Sequence, residues 1–360
     1  MTPTNNDYTA CLKTMYQLRR FGIKLGLGTI QQILGGLQNP HRKYGCIHVA
    51  GTNGKGSIAS MTASILQSCG FRTGLYTSPH LVRFNERIRI DGREITDDQV
   101  VAAYQAVKQV PAGSREPTFF EFATAMALYE FGRQQVDWAV IETGMGGRLD
   151  ATNVIQPAVA IISNISIEHR AYLGDTIARI AGEKGGIIKP ATPVLTGAAQ
   201  KDAVDVLQNI AAAQSAPLYR LGKHFRTRRA SDGTFTYYGI EHVWRAMRTN
   251  LTGNFQTGNA ALALAACEQL LHQDQAMTEA CIRKGLASTV WPGRLEVIQE
   301  NPLVIFDGAH NLIAARNLAR YLARHIKGQK ITLVTGILDD KPYAAMLKSL
   351  LPLCARVVLT

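Results

Sequence analysis

Gly51-Thr-Asn-Gly-Lys-Gly-Ser57 follows the apolar run Cys46-Ile-His-Val-Ala50, so a glycine-rich loop with one lysine opens at the end of a short hydrophobic segment. Gly51, Gly54 and Gly56 leave the backbone unobstructed, and successive N–H groups can then turn inward toward an anion. Lys55 is placed to meet terminal phosphates, and Ser57 offers a hydroxyl to Mg²⁺. Residues 57–70 carry Ile58, Met61, Ile65 and Leu66 at helical spacing, which sets the positive end of a helix beneath the phosphates. The spacing departs from the standard phosphate loop, because Val49 stands at its first glycine and Gly56 separates the lysine from the serine. A mere glycine-rich turn with a solvated lysine is the alternative, and it leaves the strand and helix flanks unexplained.

Three more groups fall at the ends of apolar runs: Ser78 after residues 72–77, Glu142 within 137–144, and His169 after 158–166. An open parallel sheet binds its ligands beyond the carboxyl ends of its strands, so these side chains gather beside the loop. A hydroxyl, a carboxylate and an imidazole suit Mg²⁺, with phosphates and waters completing its octahedron. Taken singly each has a plainer role, as turn former, helix cap or structural histidine. A second glycine-rich loop, Gly144-Met-Gly-Gly-Arg-Leu-Asp-Ala-Thr-Asn153, suits close approach to a substrate, and its Asp150 can accept hydrogen bonds.

The elements that must position these groups alternate along the chain. Helical spacing marks residues 9–20, 29–37, 96–110, 119–134 and 176–188; apolar runs mark strands at 72–78, 137–144, 158–166 and 192–197. Residues 83–90 read as extended, with Asp91-Gly92 as their turn. That alternation predicts an α/β fold with a parallel sheet covered on both faces. Residues 218–250, arginine-rich and alternating, predict a small antiparallel sheet, and 254–271 a helix. Trp291-Pro-Gly-Arg294 reads as a hinge. Beyond it come three strands, 303–306, 331–336 and 356–360, and a helix at 314–326. The expected organisation is a phosphate-loop ATPase domain over 1–290, the hinge at 291–294, and a smaller Rossmann-like domain over 295–360. That second domain is expected to be truncated, since the chain stops in its third strand.

A chain of 360 residues exceeds one usual core, which fits two domains. Lysine and arginine outnumber aspartate and glutamate 39 to 27, a net +12, without forming a basic tail or an aromatic-interleaved stripe. A small anionic substrate is therefore expected rather than nucleic acid. The six cysteines form no CxxC pair and several lie in apolar runs, as core residues of a reducing cytoplasm do. Residues 1–10 lack the pattern of a signal peptide, and no apolar run reaches the roughly 20 residues that span a bilayer. A cytoplasmic location is expected.

Seven motifs in one order carry a resemblance: Gly51-Thr-Asn-Gly-Lys-Gly-Ser57, Ser78-Pro-His-Leu81, Phe84-Asn-Glu-Arg-Ile88, Gly146-Gly-Arg-Leu-Asp-Ala-Thr-Asn153, Glu183-Lys-Gly-Gly-Ile187, Trp291-Pro-Gly-Arg294 and Asp307-Gly-Ala-His-Asn311. With them the chain resembles the bacterial dihydrofolate synthase/folylpolyglutamate synthase family of the Mur ligase superfamily. The resemblance implies a ligase of folate biosynthesis and one-carbon metabolism that joins a carboxylate to an amine using ATP. It implies that Gly54, Lys55, Gly56 and Ser57 hold ATP, that Ser78, Glu142 and His169 hold Mg²⁺, and that Asn259, Arg294 and Asp307 complete the nucleotide site. Lys184 matches a lysine that can be carbamylated; unmodified, it would pair with an acidic neighbour. His310 would stand near the incoming glutamate, so Lys55, His169, Lys184 and His310 form the implied catalytic set.

By the same resemblance the pterin lies against Leu25, Gly26 and Leu27, against Phe119, Phe120, Glu121 and Phe122, and against Leu149, Asp150 and Ala151. Without it, the phenylalanines read as the core of their helix. The implied mechanism is attack of a pteroate or folate carboxylate on the γ-phosphate, giving an acyl phosphate that the amine of glutamate displaces. The implied partners are those small molecules, with no nucleic acid or membrane and a monomeric chain. The sequence departs from the family pattern at Glu168, where aspartate is common, at Leu312, where proline is common, and at its end. Three rivals stay open: a truncated, inactive member of the family; a peptidoglycan-precursor amino-acid ligase, for which the 50 residues before Gly51 leave little room for a nucleotide-sugar domain; and a phosphate-loop regulatory module.

Overall fold

The first of two units is organised on an eight-stranded sheet. The computed structural model describes residues 5–22, 24–111, 113, 115–271, 276–326, 328–339 and 341–360. Residues 1–250 with 258–289 form the first unit, and residues 251–257 with 290–360 the second.

Helices α1 (Asn5–Gln17) and α2 (Gly28–Gly36) lead to strand β1 (Gly45–Ala50), and helix α3 (Lys55–Ser68) to strand β2 (Thr73–Tyr76). Strands β3 (Ile88–Ile90) and β4 (Arg93–Glu94) make a hairpin across Asp91 and Gly92, both at positive φ. Helices α4 (Asp97–Lys108) and α5 (Phe119–Arg133) each start on a threonine, Thr96 and Thr118, whose side chain accepts the N–H three residues on. Then come β5 (Trp138–Glu142), β6 (Val159–Ile162), the short α6 (Arg170–Leu173), α7 (Ile177–Gly185), β7 (Val194–Thr196), α8 (Lys201–Ala213) and β8 (Leu218–Arg220).

The strand order is β4-β3-β2-β5-β1-β6-β7-β8, parallel from β2 to β8, with β3 and β4 antiparallel at one edge. One face is buried by α1, α2, α4 and α5 through Met15, Ile30, Ile33, Tyr104 and Phe131. The other is buried by α7 and α8 through Ile180, Ala181, Leu207 and Ala211. Central strands so enclosed must be apolar along their whole length, as residues 139–141 and 159–162 are. His48 is the exception in β1. It is wholly buried, its Nε2 lies 2.8 Å from Thr152 Oγ1, and burial pushes its pKa down to about 3, so it stays neutral.

Residues 83–90 are not extended throughout, because a 3₁₀ turn, Phe84–Arg87, precedes β3. Its cause is Glu86, whose carboxylate takes the N–H groups of Leu81, Val82 and Arg83 at 2.7, 2.7 and 2.6 Å and curls the segment. The small antiparallel sheet forms as expected, from β9 (Arg226–Arg229), β10 (Phe235–Tyr238) and β11 (Val243–Met247). Residues 218–220 instead extend the large sheet. Helix α9 (Gln256–Leu271) holds the small sheet through the buried Glu268, which accepts from Tyr237 Oη at 2.7 Å and from the amides of Ile240, Glu241 and His242 at 2.9, 2.7 and 2.6 Å. Arg226, Arg228 and Arg245 are exposed on this sheet, and Arg226 lies 4.8 Å from the Tyr238 ring, so part of the positive excess is gathered there rather than spread evenly.

Helix α10 (Glu279–Ala287) crosses α3 so closely that a Cβ at Gly285 would sit 2.4 Å from Ile65 Cα, while Ser64 Oγ donates to the Gly285 carbonyl at 2.7 Å. At this crossing Cys69 and Cys281 form a disulfide, their Cα atoms 5.0 Å apart. The expectation of six reduced core cysteines is corrected here. The two stand 212 residues apart in sequence, and only the packing of α3 on α10 brings them together.

In the second unit β12 (Glu296–Glu300) pairs antiparallel with β13 (Leu303–Phe306). Helix α11 (Leu312–His325), strand β14 (Ile331–Thr335), helix α12 (Tyr343–Leu350) and strand β15 (Cys354–Leu359) follow, with β14 and β15 parallel. Ala315, Leu322, Met346 and Leu350 form its core. The described residues thus hold four strands, not the three expected. Glu296 and Glu300 bracket β12, and its apolar residues Val297 and Ile298 are adjacent, which gave the segment no alternating signal.

Candidate active site

Strand β1 delivers the chain to Gly51 at φ 137°, where a Cβ would lie 1.9 Å from Ser163 Oγ; only glycine fits. Gly54, at φ 87°, caps α3, and a Cβ there would meet Asn259 Oδ1 at 2.5 Å. The loop is fastened to the segment after β6: Thr52 N donates to the Asn164 carbonyl at 2.9 Å, Asn53 N to Asn164 Oδ1 at 3.0 Å, and Ser163 Oγ to the Asn53 carbonyl at 2.7 Å. Lys55, Gly56 and Ser57 form the first turn of α3, where N–H groups lack partners within the helix and the dipole favours an anion. Lys55 Nζ folds back onto the Gly51 and Thr52 carbonyls at 3.1 and 3.3 Å, at the rim of the same turn.

Lys184, on α7, is 1% exposed and donates to the Gly51 carbonyl at 2.9 Å and to Glu168 Oε1 at 2.7 Å. Burial, against the pull of Glu168, brings its pKa down to about 8. Burial raises the Glu168 carboxyl, but Lys184 and Lys55 together outweigh it and hold the group below its ordinary value. A second cation therefore stands beside the phosphate loop with its acidic neighbour in place.

Ser78 and Glu142 end adjacent strands β2 and β5, and Ser78 N donates to Glu142 Oε2 at 3.2 Å. Glu142 is 4% exposed, so its carboxylate is presented in a restricted setting. His169 stands exposed at the head of α6 in the left-handed region, φ 46°. No three His, Cys, Asp or Glu side chains converge on one point among the described residues. The Ser78 hydroxyl and Glu142 carboxylate are hard oxygen donors that fit Mg²⁺, an ion that takes few protein ligands and keeps waters and phosphate oxygens.

The second glycine-rich loop is organised by Asp150, which accepts from Met145 N at 2.8 Å, Thr152 N at 3.0 Å and Thr152 Oγ1 at 2.6 Å. Glu121 is likewise engaged, receiving Arg115 Nη1 and Nη2 at 2.9 and 2.7 Å and Thr118 N at 2.8 Å. Phe122 is core, its ring 5.5 Å from that of Tyr104. Phe119 and Phe120 are half-buried, and Phe120 lies where a Cβ on Gly144 would strike it at 2.5 Å. Leu25 is exposed, Gly26, Leu27 and Leu149 are half-buried, and Ala151 is buried at the foot of the loop. Arg148 ties this loop to α7 through Glu183 at 2.8 Å.

Within the second unit, Asp307 accepts from Leu295 N and Ala309 N, each at 2.9 Å, and burial raises its carboxyl. Arg294 Nη1 donates to the Gly293 carbonyl at 2.9 Å and leaves no room for a Cβ on Gly308. His310 Nδ1 lies 2.9 Å from the Gly308 carbonyl oxygen. Arg294, Asp307 and His310 thus share one corner of their unit, and Gly54 and Asn259 share one of theirs.

Sequence reasoning missed Ser163 and Asn164, which pin the phosphate loop, and the pair His80 and Arg87, joined by an Arg87 Nε donation to His80 Nδ1 at 2.7 Å. The signal for Asn164 was its place at the end of β6; Arg87 and His80 stood inside the motifs Phe84-Asn-Glu-Arg-Ile88 and Ser78-Pro-His-Leu81 but were given no role there.

Comparison with known proteins places residues 49–267 in the Mur ligase middle domain and 293–360 in the Mur ligase glutamate ligase domain. The chain is similar to the dihydrofolate synthase/folylpolyglutamate synthase of Bacillus subtilis, 39% identical over 344 residues that cover 92% of this chain and 80% of the relative. Among solved structures it is similar to a folylpolyglutamate synthase of Thermotoga maritima, with a TM-score of 0.88 and 37% identity over 98% of this chain and 83% of that one. It is also similar to the E. coli FolC in complex with DHPP and ADP, with a TM-score of 0.88 and 31% identity over 96% of this chain and 82% of that one.

Proposed function

Because this chain belongs to the dihydrofolate synthase/folylpolyglutamate synthase family of Mur ligases, we propose that it joins L-glutamate to dihydropteroate and to reduced folates through an acyl phosphate. It is an ATP-dependent carboxylate–amine ligase acting on folates. One observation carries the reading at the level of geometry: a phosphate loop at the end of β1 shares its sheet edge with Ser78 and Glu142, 3.2 Å apart at the ends of neighbouring strands. That arrangement supports phosphate-cradling donors and oxygen ligands serving one nucleotide.

In the first step an oxygen of the acceptor carboxylate attacks the γ-phosphorus, the bond to the bridging oxygen breaks, and ADP leaves. In the second the amine of glutamate attacks the acyl carbon, phosphate leaves, and the amine sheds its proton. The head of α3 and Lys55 stabilise the charge spread over the transferred phosphoryl group. Ser78, Glu142 and His169 would hold Mg²⁺, which when bound supplies further neutralisation of that charge. Lys184 is the residue we assign to carbamylation: its neutral amine adds CO₂ and releases a proton, leaving an anion beside the loop. Asn259, Arg294 and Asp307 are assigned to the nucleotide, and His310 to the incoming glutamate. Leu25 to Leu27, Phe119 to Phe122 and Leu149 to Ala151 are assigned to the pterin substrate.

We take residues 1–290 as the ATP- and pterin-binding domain, 291–294 as hinge and 295–360 as the glutamate-ligase domain. The protein is read as a cytoplasmic monomer without nucleic-acid partners; no described helix is long and apolar enough to cross a membrane. Incubation with dihydropteroate or tetrahydrofolate, Mg·ATP and L-glutamate tests the reading by product mass. A product without the glutamyl addition, under conditions where a family relative is active, overturns it.

A further inference from the structure

Arg87 is a buried cation with no carboxylate in direct contact; the charge of Glu142 acts on it only at a distance. It closes the 3₁₀ turn before β3 with 6% of its surface exposed, and among the described residues it has no ion pair. Burying a guanidinium without a counter-charge is costly, so an arginine in this state is held for a reason. The acids of this region are otherwise engaged: Glu86 by the amides of Leu81, Val82 and Arg83, Asp97 by Arg83 at 2.6 Å and Asn85 at 2.9 Å, and Glu142, whose charge reaches Arg87 without a contact, by the Ser78 amide at 3.2 Å.

What surrounds Arg87 is aromatic and donating. Its guanidinium carbon lies 5.2 Å from the centroid of Phe119, on which Tyr16 stacks at 5.6 Å. A second guanidinium, Arg19, lies 4.4 Å from the Tyr16 ring and 5.0 Å from Phe119. Because Arg87 Nε donates to His80 Nδ1, the neutral imidazole carries its proton on Nε2, 3.4 Å from Tyr16 Oη. Tyr16, Phe119 and His80 are half-buried and Arg19 is exposed, so the corner opens to solvent. Two cations, an N–H, a hydroxyl and two ring faces suit an anionic group held beside an aromatic ring. The corner also adjoins the ligand-bearing strand ends, since the Arg87 carbonyl accepts from Thr77 N at 3.0 Å, one residue before Ser78.

Resting on the ligase reading above, we propose that Arg87, with Arg19 and His80, binds the non-reacting α-carboxylate of the acceptor's terminal glutamyl residue while Phe119 and Tyr16 flank its benzoyl ring. A folate acceptor carries two terminal carboxylates, of which one reacts. Dihydropteroate has only the reacting one. The corner therefore sets the preference between the two acceptors and is a determinant of repeated glutamylation.

Affinity is read by equilibrium titration of the intact protein with tetrahydrofolate, with its terminal α-carboxamide analogue, and with dihydropteroate; turnover is read separately by product mass. Loss of a charge-assisted bidentate contact corresponds to about tenfold or more in affinity. The wild type is expected to bind the α-carboxamide at least that much more weakly than tetrahydrofolate. In Arg87→Gln, affinity for tetrahydrofolate should fall by the same factor, dihydropteroate should lose far less, and the carboxamide should no longer be distinguished. Equal affinity of the wild type for acid and amide overturns the proposal without need of a variant. So does an equal loss on both acceptors in Arg87→Gln, or a rise in KM for L-glutamate in place of a loss of acceptor affinity. The expected affinity pattern in a protein that forms no glutamyl product supports this corner and fails the ligase reading, so the two are separable.

Discussion

Lys184 Nζ stands 2.7 Å from Glu168 Oε1 and 2.9 Å from the Gly51 carbonyl, tying α7 to the phosphate loop by a nearly buried cation. Glutamate rather than aspartate at 168 gives the acid the extra methylene with which it reaches this lysine. Removing one partner of a buried pair leaves the other uncompensated, and Glu168→Leu should cost about 3 kcal/mol in urea unfolding at pH 7. A loss below about 0.5 kcal/mol, typical of an exposed pair, would show that the contact is solvated.

The same pair predicts a pH signature. Burial sets the folded pKa of Lys184 at about 8 against an ordinary 10.5, so between those values the unfolded state binds more protons and stability rises with pH. In Lys184→Met that rise should shrink by roughly 3 kcal/mol. Glu168 acts at the other end. Its folded value lies below the ordinary 4.5, so its contribution is present above that value and is lost as pH falls through the lower one. Parallel stability curves for wild type and Lys184→Met above pH 8 would refute the assignment.

At Gly51, φ 137° and a Cβ position 1.9 Å from Ser163 Oγ leave no conformation for a side chain. Gly51→Ala should displace Ser163 from the Asn53 carbonyl, lower stability by about 2 kcal/mol and weaken ADP binding at least tenfold. Gly54→Ala meets only the tip of Asn259, besides its positive φ, and should affect nucleotide affinity more than folding. Calorimetric ADP titration beside thermal melts separates the two effects.

Cys69 and Cys281 predict a thiol count. Four cysteines, Cys11, Cys46, Cys267 and Cys354, are free. Alkylation in denaturant without reductant should therefore label four sites, and six after reduction. Cys69→Ser should lower stability by about 2 to 4 kcal/mol under oxidising conditions. Six labelled sites in protein kept from reductant would show the bridge to be open.

Much of the first unit could be read from residue order, because its signals are local. Glycines at 51, 54 and 56 with one lysine mark a loop, enclosed strands must be apolar, and Thr96 and Thr118 announce their helices. Contacts between distant segments were not legible. Nor were the partners of Asp150 and Glu121: Asp150 accepts from Met145 and Thr152 and Glu121 from Arg115 and Thr118, hydrogen bonding that residue type does not disclose. Arg87 was overlooked because its meaning depends on Phe119 and His80 and on acids that are occupied elsewhere. Strand β12 was missed because its two apolar residues, Val297 and Ile298, are adjacent and both exposed, which is not the apolar alternation that marks a strand.

The candidate metal pair makes the last prediction, and a second buried glutamate supplies its control. Glu142, 4% exposed at the end of β5, takes the Ser78 amide at 3.2 Å, a bond that a glutamine carbonyl can also accept. Glu142→Gln therefore preserves shape and removes charge. If the carboxylate holds Mg²⁺ at the developing phosphoryl charge, turnover should fall about 100-fold or more and the Mg²⁺ requirement should rise. The melting temperature should move by no more than a few degrees. Glu130, wholly buried on α5, is bound instead by Arg133 Nη2 at 2.7 Å and Nε at 2.8 Å, away from the strand ends. Glu130→Gln should do the reverse, costing about 1.5 to 3 kcal/mol through the loss of the charge-assisted hydrogen bonds from the partly exposed Arg133, while turnover per folded molecule stays near that of the wild type. Measuring both variants for product formation across a Mg²⁺ series and for unfolding in urea places each carboxylate. Near-native turnover with an unchanged Mg²⁺ dependence in Glu142→Gln would remove this residue from the metal site and leave it as a cap on Ser78.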